Sequence, residues 1–412
     1  MNAAALTASY DFVCYGCDYN VAPPAAFTCP RCGEPLSIRS LATPGKAVFS
    51  QPLRSLWDYS DLLPVTDPDR AITLGEGATR LIEAPRLAAA SGLKQLLLKN
   101  ETSNPTGSFK DRQISVGITR ARELGKDTVA VVSSGNVACA ASAYAARAGM
   151  RAVLLMHGFA SPTKIAQAAA YGGQVIQVDV PSANAVFDLC LEACGRFGWY
   201  HLSTAGMYEP YNVEGAKTIA YELYQQTGGD LPDWIVAPVG GGGLLGGIWR
   251  GLLDLQRLGL IERLPRLAGI QASGCAPLKK AIDEGTPYLE TLNEPWPNPK
   301  TIAGGIADDI LFDGHTVLPA LRTTNGAAIA VDDPEIIRGE LALASSEGIL
   351  CEPTCAVVIA ALEHLPLKNS GARVCCIITG SGIKDLPALQ GHVAPPKRIG
   401  ASLSALESAL RA

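Results

Sequence analysis

Short runs with strand composition alternate with helical runs from Leu96 onward, and this alternation constrains the fold more than any other feature of the chain. Residues 128–134 (TVAVVSS), 151–156 (RAVLLM) and 174–180 (QVIQVDV) have strand composition, and alanine-rich segments separate them. Parallel strands need crossover connections, which are usually helices, so the pattern predicts parallel sheet covered by helices. We therefore predict an α/β protein, and its 412 residues are enough for two or three domains.

The N-terminal segment carries two CxxC pairs, one formed by Cys14 and Cys17 and the other by Cys29 and Cys32. Two turns of this kind aim four thiolates at one point, which suits a tetrahedral zinc ion with no position left for substrate. The alternative is a set of unconnected cysteines in a loop-rich leader. We predict a small structural zinc ribbon over residues 1–45.

Charge and hydropathy argue against several classes of function. The net charge is -5, the isoelectric point is near 5.6 and no basic run occurs, which argues against a nucleic-acid partner. We find no apolar stretch suited to crossing a membrane and no secretory signal pattern at the N-terminus. The twelve cysteines then indicate a reducing compartment, so we expect a cytoplasmic protein whose other cysteines fill the core.

A single lysine, Lys110, stands between a tight turn and a helical pattern in the sequence NPTGSFKDR, residues 104–112. The turn at residues 105–108 would hold the lysine in one direction. Its amine is a candidate for covalent catalysis, because an amine can form an imine with a carbonyl group. The alternative is an ordinary solvated helix start. Lys217 begins another helical pattern and is a rival, although no tight glycine turn immediately precedes it.

A glycine cluster, PVGGGGLLGG at residues 238–247, follows a strand pattern and precedes a helical one. Successive glycines let backbone N–H groups converge, and the N-terminus of the next helix favours an anion. Residues 241–246 also match GxGxxG, the pattern of dinucleotide sites. That match is weak when it stands alone and lies deep in the chain, so the cluster favours one compact phosphate.

Two further loops follow strand patterns. SSGNVACAAS (133–142) places hydroxyls and Asn136 after one strand, and TGSGIKD (379–385) follows the last strand. Ligands of open α/β sheets bind at the carboxyl ends of strands, which favours a binding role for both loops. The alternatives are a capped helix start for the first loop, since Ser and Asn favour caps, and a simple turn for the second.

These four segments, in this order, resemble the pyridoxal-phosphate (PLP) enzymes of the tryptophan-synthase-β fold type, and among them the threonine synthases. The segments LGEGATRL (74–81), EGAKTIAYEL (214–223) and EGILCEPTCA (347–356) are similar to motifs of the same enzymes. The resemblance extends from about Thr73 over nearly all the rest of the chain. It implies PLP fold type II, with two doubly wound three-layer domains preceded by the zinc ribbon.

The resemblance also implies a role for each matching residue. Lys110 would form the imine with PLP and then move protons on substrate carbons, and Asn136 would hydrogen-bond the pyridoxal 3′-oxygen. Thr379 would face the pyridine nitrogen. The backbone of five residues would hold the cofactor phosphate: Gly240, Gly241, Gly242, Gly243 and Leu244. Three hydroxyl residues are candidates for binding the substrate: Thr106, Ser133 and Ser134.

The expected boundaries are residues 46–114 for a linker and the first part of the large PLP domain, 115–220 for a small α/β domain, and 221–412 for the remainder of the large domain. We expect a homodimer that acts on a small amino acid, as a lyase or synthase. Threonine synthase, which converts O-phosphohomoserine and water to threonine and phosphate, is the leading specific interpretation.

Two sequence features keep other substrates open. The chain reads EPYN at residues 209–212 where threonine synthases usually have Asn-Pro-x-Arg, so Asn212 replaces a phosphate-binding arginine and Glu209 adds a negative charge. The stretch TIAGGIAD (301–308) is more like the serine/threonine ammonia-lyases. The alternative is therefore an ammonia-lyase or β-replacement enzyme acting on serine, threonine or a diamino acid. A third possibility is a non-catalytic sensor or interaction module.

Overall fold

The computed structural model describes residues 9–23, 26–157, 161–179, 183–367 and 371–411. Within these ranges the strands are β1 Tyr10–Val13, β2 Asn20–Val21, β3 Ser37–Ser40, β4 Leu81–Glu83, β5 Gln95–Asn100, β6 Thr128–Val132, β7 Arg151–His157, β8 Gln174–Val178, β9 Tyr200–His201, β10 Trp234–Pro238, β11 Arg266–Ala272, β12 Ala327–Val331 and β13 Arg373–Ile378. The α-helices are α1 Pro85–Ala90, α2 Lys110–Glu123, α3 Asn136–Ala148, α4 Pro162–Ala170, α5 Ala183–Phe197, α6 Thr218–Gln226, α7 Gly243–Arg257, α8 Pro277–Glu284, α9 Tyr288–Thr291, α10 Gly314–Thr323, α11 Asp333–Glu347, α12 Pro353–Ala360 and α13 Leu403–Arg411.

The larger sheet has six strands in the order β12-β11-β10-β13-β5-β4. Neighbouring strands are parallel except at one edge, where β4 pairs antiparallel with β5. The central strands β10 (WIVAP) and β13 (RVCCII) are covered on both faces, which explains why they are continuous apolar runs. Helices α6, α7 and α10 contribute to the apolar cluster on one face, and α1, α11 and α12 to the cluster on the other.

The smaller sheet has four parallel strands in the order β8-β7-β6-β9. Helix α3 packs against it and against α2, and its many alanines permit this close packing. Gly149 ends α3 in the left-handed conformation, with φ of 68°, which a residue without a side chain adopts at little cost. The predicted α/β architecture with parallel sheet is confirmed.

The N-terminal ribbon is a three-stranded antiparallel sheet in the order β2-β1-β3. Its aromatic core includes Phe12 and Phe27, whose rings stack at 5.7 Å between centroids, and Tyr211 of the main body packs against both. Tyr15 lies 4.7 Å from the ring of Trp249 on α7. The ribbon is therefore in direct contact with the helix that follows the glycine cluster.

The carboxyl ends of strands from both sheets carry the loops that the sequence analysis singled out. The NPTGSFKDR turn follows β5, the SSGN loop follows β6, the glycine cluster follows β10 and the TGSG turn follows β13. An isolated bridge joins Ser108 to Gly380, so the first and last of these loops touch. A second bridge joins Ser381 of the last loop to Cys351. This is the edge at which ligands of open α/β sheets bind.

Helices of membrane-spanning length and hydropathy are not found in the part of the chain that the structure describes.

Candidate active site

Lys110 is the first residue of α2 and ends the turn that follows β5. Its Nζ donates to Gln113 Oε1 at 3.3 Å and to Thr204 Oγ1 at 3.4 Å. Burial lowers the pKa of the Lys110 amine to about 8, although the carboxylates of Asp308 and Asp313 favour its charged form. A larger share of this amine is therefore neutral near physiological pH than for an ordinary lysine.

The turn before Lys110 is held by buried polar contacts. The Thr106 N–H and hydroxyl donate to the Asp111 carboxylate at 2.7 and 2.6 Å, and Lys384 Nζ donates to the Thr106 carbonyl at 2.7 Å. Gly107 has φ of +86°, a conformation that favours glycine. Thr106, predicted to contact substrate, is itself buried, and its hydroxyl is used to shape this turn.

The glycine cluster forms a cradle at the N-terminus of α7. Gly242 has φ of +107°, and the Gly241 N–H donates to Asp308 Oδ2 at 2.6 Å. A Cβ atom on Gly240 would lie 2.5 Å from the same Asp308 oxygen, so a larger residue does not fit there. The loop already presents a backbone N–H to a carboxylate oxygen, and the free N–H groups of the first helical turn add to an environment suited to an anion.

Asn136 and Thr379 occupy two other sides of the site. Asn136 Nδ2 donates to Glu352 Oε2 at 2.7 Å, while its Oδ1 is buried without a hydrogen-bond partner. Glu352 also pairs with Lys164 at 2.7 Å, which joins α4 of the smaller sheet to the larger one. The buried Thr379 hydroxyl lies 3.0 Å from Cys355 Sγ.

The two serines of the SSGN loop are half-buried. Ser133 Oγ accepts from the Gly135 N–H at 3.2 Å, which shapes the entry to α3. The Phe109 N–H donates to the Thr379 carbonyl at 2.9 Å, and a Cβ atom on Gly380 would lie 3.3 Å from Asn136 Nδ2, so the TGSG turn contacts both the loop of Lys110 and the start of α3. The glycine cluster lies against α2, where a Cβ atom on Gly243 would be 3.4 Å from Gln113 Nε2.

Several site residues were missed by the sequence analysis. Asp308 is exposed to solvent beside the glycine cluster, and Asp313 is buried, with Oδ1 accepting from the Gly206 N–H at 2.7 Å. Gln113 contacts Lys110, and Glu352 contacts Asn136. Two sequence features could have pointed to these residues: the acidic residues in IADDILFDG (306–314), and Gln113, one helical turn after Lys110.

The polar side chains of the motif EPYN are buried and hydrogen-bonded within the protein. Glu209 accepts from Tyr200 Oη and from the Asn212 N–H, both at 2.5 Å, and burial raises the pKa of Glu209 to about 7. Asn212 Nδ2 donates to the Ser203 carbonyl at 2.7 Å, next to Thr204. Both side chains are buried, so they shape the segment beside Lys110 and present no exposed charge.

The arrangement fits pyridoxal phosphate. Gly240 and Gly241 leave a cradle that a Cβ would fill, the amide of Asn136 keeps an unpaired Oδ1, and the Lys110 amine is partly neutral. The fold and site thus define an α/β enzyme of the PLP-binding class. A family model described as pyridoxal-phosphate dependent enzyme matches residues 72–380, and the chain belongs to this family.

Similar proteins include threonine synthases from two sources. The protein of Methanocaldococcus jannaschii is 36% identical over 360 residues, which are 86% of this chain and 87% of the relative. The protein of Synechocystis is 37% identical over 331 residues, with 79% and 82% of the two chains covered. Both relatives carry the same named activity, and both matches extend over most of each chain.

Solved structures with the same fold carry other names. A threonine deaminase from T.th. has a TM-score of 0.60 and 27% identity, and the match covers 74% of this chain and 92% of that one. Maize serine racemase has a TM-score of 0.65 at 22% identity, covering 76% and 91%, and shows the fold alone.

Proposed function

We propose that this protein catalyses PLP-dependent elimination and replacement on a small amino acid, and that the specific reaction is that of threonine synthase, O-phosphohomoserine and water giving threonine and phosphate. The observation that carries the specific reaction is the similarity to threonine synthases at 36–37% identity over most of both chains. The site geometry supports the broader reaction class, because an amine of lowered pKa stands beside a phosphate cradle.

Each residue of the site has a task in this proposal. The backbone of residues 240–244 would hold the cofactor phosphate, Asn136 the 3′-oxygen and Thr379 the ring nitrogen. A hydroxyl cannot hold a pyridinium cation as strongly as a carboxylate does. Ser133 and Ser134 are proposed to contact the substrate, and Thr106 is proposed to act on it indirectly, by shaping the turn before Lys110.

When bound, PLP supplies an electron sink that stabilises negative charge on substrate carbons. Lys110 Nζ would hold the cofactor and then carry protons to and from these carbons. Its lowered pKa suits both tasks, because a group that exchanges protons works best when its pKa is near the working pH. Gln113 and Thr204 orient the amine between these events.

The alternative reaction is an ammonia-lyase or β-replacement reaction on serine, threonine or a diamino acid. The observation that favours it is the presence of two carboxylates, those of Asp308 and Asp313, near the Lys110 amine. Carboxylates beside the reacting centre favour a neutral or cationic side chain over a phosphorylated one.

One assay separates the two reactions. The PLP-loaded protein is incubated with O-phosphohomoserine, serine, threonine and 2,3-diaminopropionate, and phosphate, threonine, keto acid and ammonia are measured. We expect phosphate and threonine in equal amounts from phosphohomoserine. Keto acid and ammonia from one of the other amino acids, with no phosphate release, would establish the alternative reaction and overturn the threonine synthase proposal.

We also propose that the four ribbon cysteines bind a structural zinc ion. Their Sγ atoms all lie within 4.8 Å of one another, with 3.3 Å between Cys14 and Cys32 and 3.6 Å between Cys17 and Cys29. Tetrahedral zinc with Zn–S bonds of about 2.3 Å needs sulfur separations in this range. The four positions leave no open coordination site, so the ion would serve the ribbon alone.

We further propose a domain division at residues 45, 114 and 220, a homodimer, and a cytoplasmic location. Light scattering on a sizing column tests the dimer directly.

A further inference from the structure

Cys355, in the first turn of α12, is a buried thiol that contacts the last loop of the site. Its Sγ lies 3.0 Å from Thr379 Oγ1 and accepts from the Gly380 N–H at 2.9 Å. A further contact joins Sγ to the Gly380 carbonyl oxygen at 3.3 Å. One sulfur atom therefore touches two consecutive residues of the TGSG turn, and one of them carries the hydroxyl that we propose for the cofactor ring.

The thiol has one proton and two oxygen atoms within reach of it. The Gly380 carbonyl already accepts from the Glu352 N–H at 3.0 Å. Thr379 Oγ1, in contrast, has Cys355 Sγ as its one hydrogen-bond partner among the residues that the structure describes. The Thr379 oxygen is also the nearer of the two. The S–H group, a weak donor, is therefore best placed to donate to Thr379 Oγ1.

The direction of the threonine proton decides which ligand atoms the hydroxyl can bind. A hydroxyl has a single proton and can accept through its lone pairs at the same time. When Thr379 Oγ1 accepts from the thiol, its own proton does not point at sulfur and is free for another acceptor. An unprotonated pyridine nitrogen is an acceptor of this kind.

The same sulfur also holds the backbone of the turn beside the other site residues. Gly380, whose N–H donates to Cys355 Sγ, forms an isolated bridge with Ser108 in the loop before Lys110. A Cβ atom on Gly380 would lie 3.3 Å from Asn136 Nδ2. Cys355 therefore fixes the position of the turn as well as the hydrogen bonding of its hydroxyl.

We propose that Cys355 orients the Thr379 hydroxyl so that Thr379 donates to the ring nitrogen of bound PLP. The inference rests on the contact between Thr379 and this nitrogen that the proposed function assigns. Cys355 acts through Thr379 and does not itself touch the cofactor. Its substitution should therefore change the binding and the spectrum of the cofactor, and not only the stability of the protein.

The test titrates the cofactor-free protein with PLP and compares Cys355→Ala with Cys376→Ala. Both thiols are 0% exposed and both adjoin α12, but Cys376 Sγ contacts the Val358 carbonyl at 3.8 Å. We expect Cys355→Ala to raise the Kd of PLP about fivefold, which corresponds to about 1 kcal/mol, and to shift the visible absorbance maximum of the bound cofactor. Cys376→Ala, which removes the same atoms from the core, should change neither.

Further variants show whether Cys355 acts through Thr379. Cys355→Ser keeps a donor and an acceptor, so it should restore the wild-type absorbance maximum and a Kd within about twofold of the wild-type value. In a Thr379→Val background, Cys355→Ala should raise the Kd little further, because the hydroxyl that it orients is gone. Cys355→Val, which fills the space of the thiol without its hydrogen bonds, takes the place of the alanine variant if that variant does not fold.

Equal Kd values and absorbance maxima for Cys355→Ala and Cys376→Ala would overturn the role of Cys355, as would fully additive effects of Cys355→Ala and Thr379→Val. A Thr379→Val variant with the wild-type Kd and spectrum would overturn the contact between Thr379 and the ring nitrogen as well. A wild type that binds PLP but releases no phosphate from phosphohomoserine would overturn the threonine synthase proposal alone, because the role of Cys355 is measured on PLP binding.

Discussion

The charge of the Lys110 amine depends on two opposing effects, its burial and the two carboxylates near it. Burial lowers the pKa to about 8, and Asp308 and Asp313 hold it above the value that burial alone would produce. The charged amine predominates below pH 8 and the neutral amine above it. Only the neutral amine can attack the carbonyl of the cofactor.

We predict that the rate of PLP uptake by the cofactor-free protein rises with pH, with a midpoint near 8. Stopped-flow absorbance between pH 6 and 10 measures this rate. Asp313→Asn should move the midpoint to lower pH, because it removes a negative charge that favours the ammonium form. An uptake rate that is constant across this range would contradict the assigned pKa.

At the residue scale, sequence patterns predicted which side chains lie on the loops of the site, but not which residues those side chains contact. Lys110, Asn136 and Thr379 each follow a strand within a short motif, and it was the resemblance of these motifs to those of PLP enzymes that singled them out. Asp313 and Thr204 are distant from Lys110 in sequence and reach the site only through the packing of α10 and the segment after β9. No local pattern encodes such contacts, and none predicted the pairing of Asn136 with Glu352.

At the element scale, α2 is anchored by a buried ion cluster that lies directly behind the lysine. Arg112 donates to Glu101 at 2.6 Å and to Glu222 at 2.5 Å, and Lys99 donates to Glu222 at 2.6 Å. All four side chains are fully buried. The two cations hold the pKa of Glu222 below its usual range, near 2, against the effect of burial. The cluster joins β5, α2 and α6 around the turn that presents Lys110.

Glu222→Gln should destabilise the fold by about 3–5 kcal/mol, because it leaves two buried cations without sufficient counter-charge. Urea unfolding followed by tryptophan fluorescence measures the change. The matched control is Asp283→Asn, which removes an exposed i,i+4 pair with Lys279 and should cost less than about 1 kcal/mol. Equal effects of the two variants would show that the buried cluster does not anchor α2.

Strand and helix composition predicted the α/β elements, but not their order in the sheets. Strand β13, near the end of the chain, lies between β10 and β5, and β4 joins the edge antiparallel. Such pairings join segments that are far apart in sequence, and alternation along the chain carries no information about them. The contact between the ribbon and α7, through Tyr15 and Trp249, was likewise not predicted.

At the scale of the whole molecule, the ribbon shares its aromatic core with the catalytic body. Tyr211 packs with Tyr10 and Phe12, and Tyr15 packs on α7. Loss of the proposed zinc ion should therefore lower the stability of the body as well as that of the ribbon, because structural zinc sites couple binding to folding.

We predict that the double variant Cys14→Ser with Cys29→Ser loses one zinc ion per chain, keeps the visible absorbance of bound PLP and melts at a lower temperature than the wild type. Metal analysis and differential scanning calorimetry measure these changes. The control is Cys190→Ser, which lies outside the ribbon and should retain zinc. An unchanged zinc content in the double variant would exclude the ribbon as the metal site.

The central claim is that Lys110 carries the cofactor at the junction of the four loops, and reductive labelling tests it most directly. The rival Lys217 is buried and paired with Glu214 at 2.8 Å and Asp254 at 3.2 Å, so its amine is not free to react. The PLP-loaded protein is reduced with borohydride, digested and mapped by mass spectrometry, with Lys110→Ala as control. We predict a pyridoxyl group on Lys110 alone and none in the variant. Labelling of Lys217, or of no lysine in the wild type, would contradict the account.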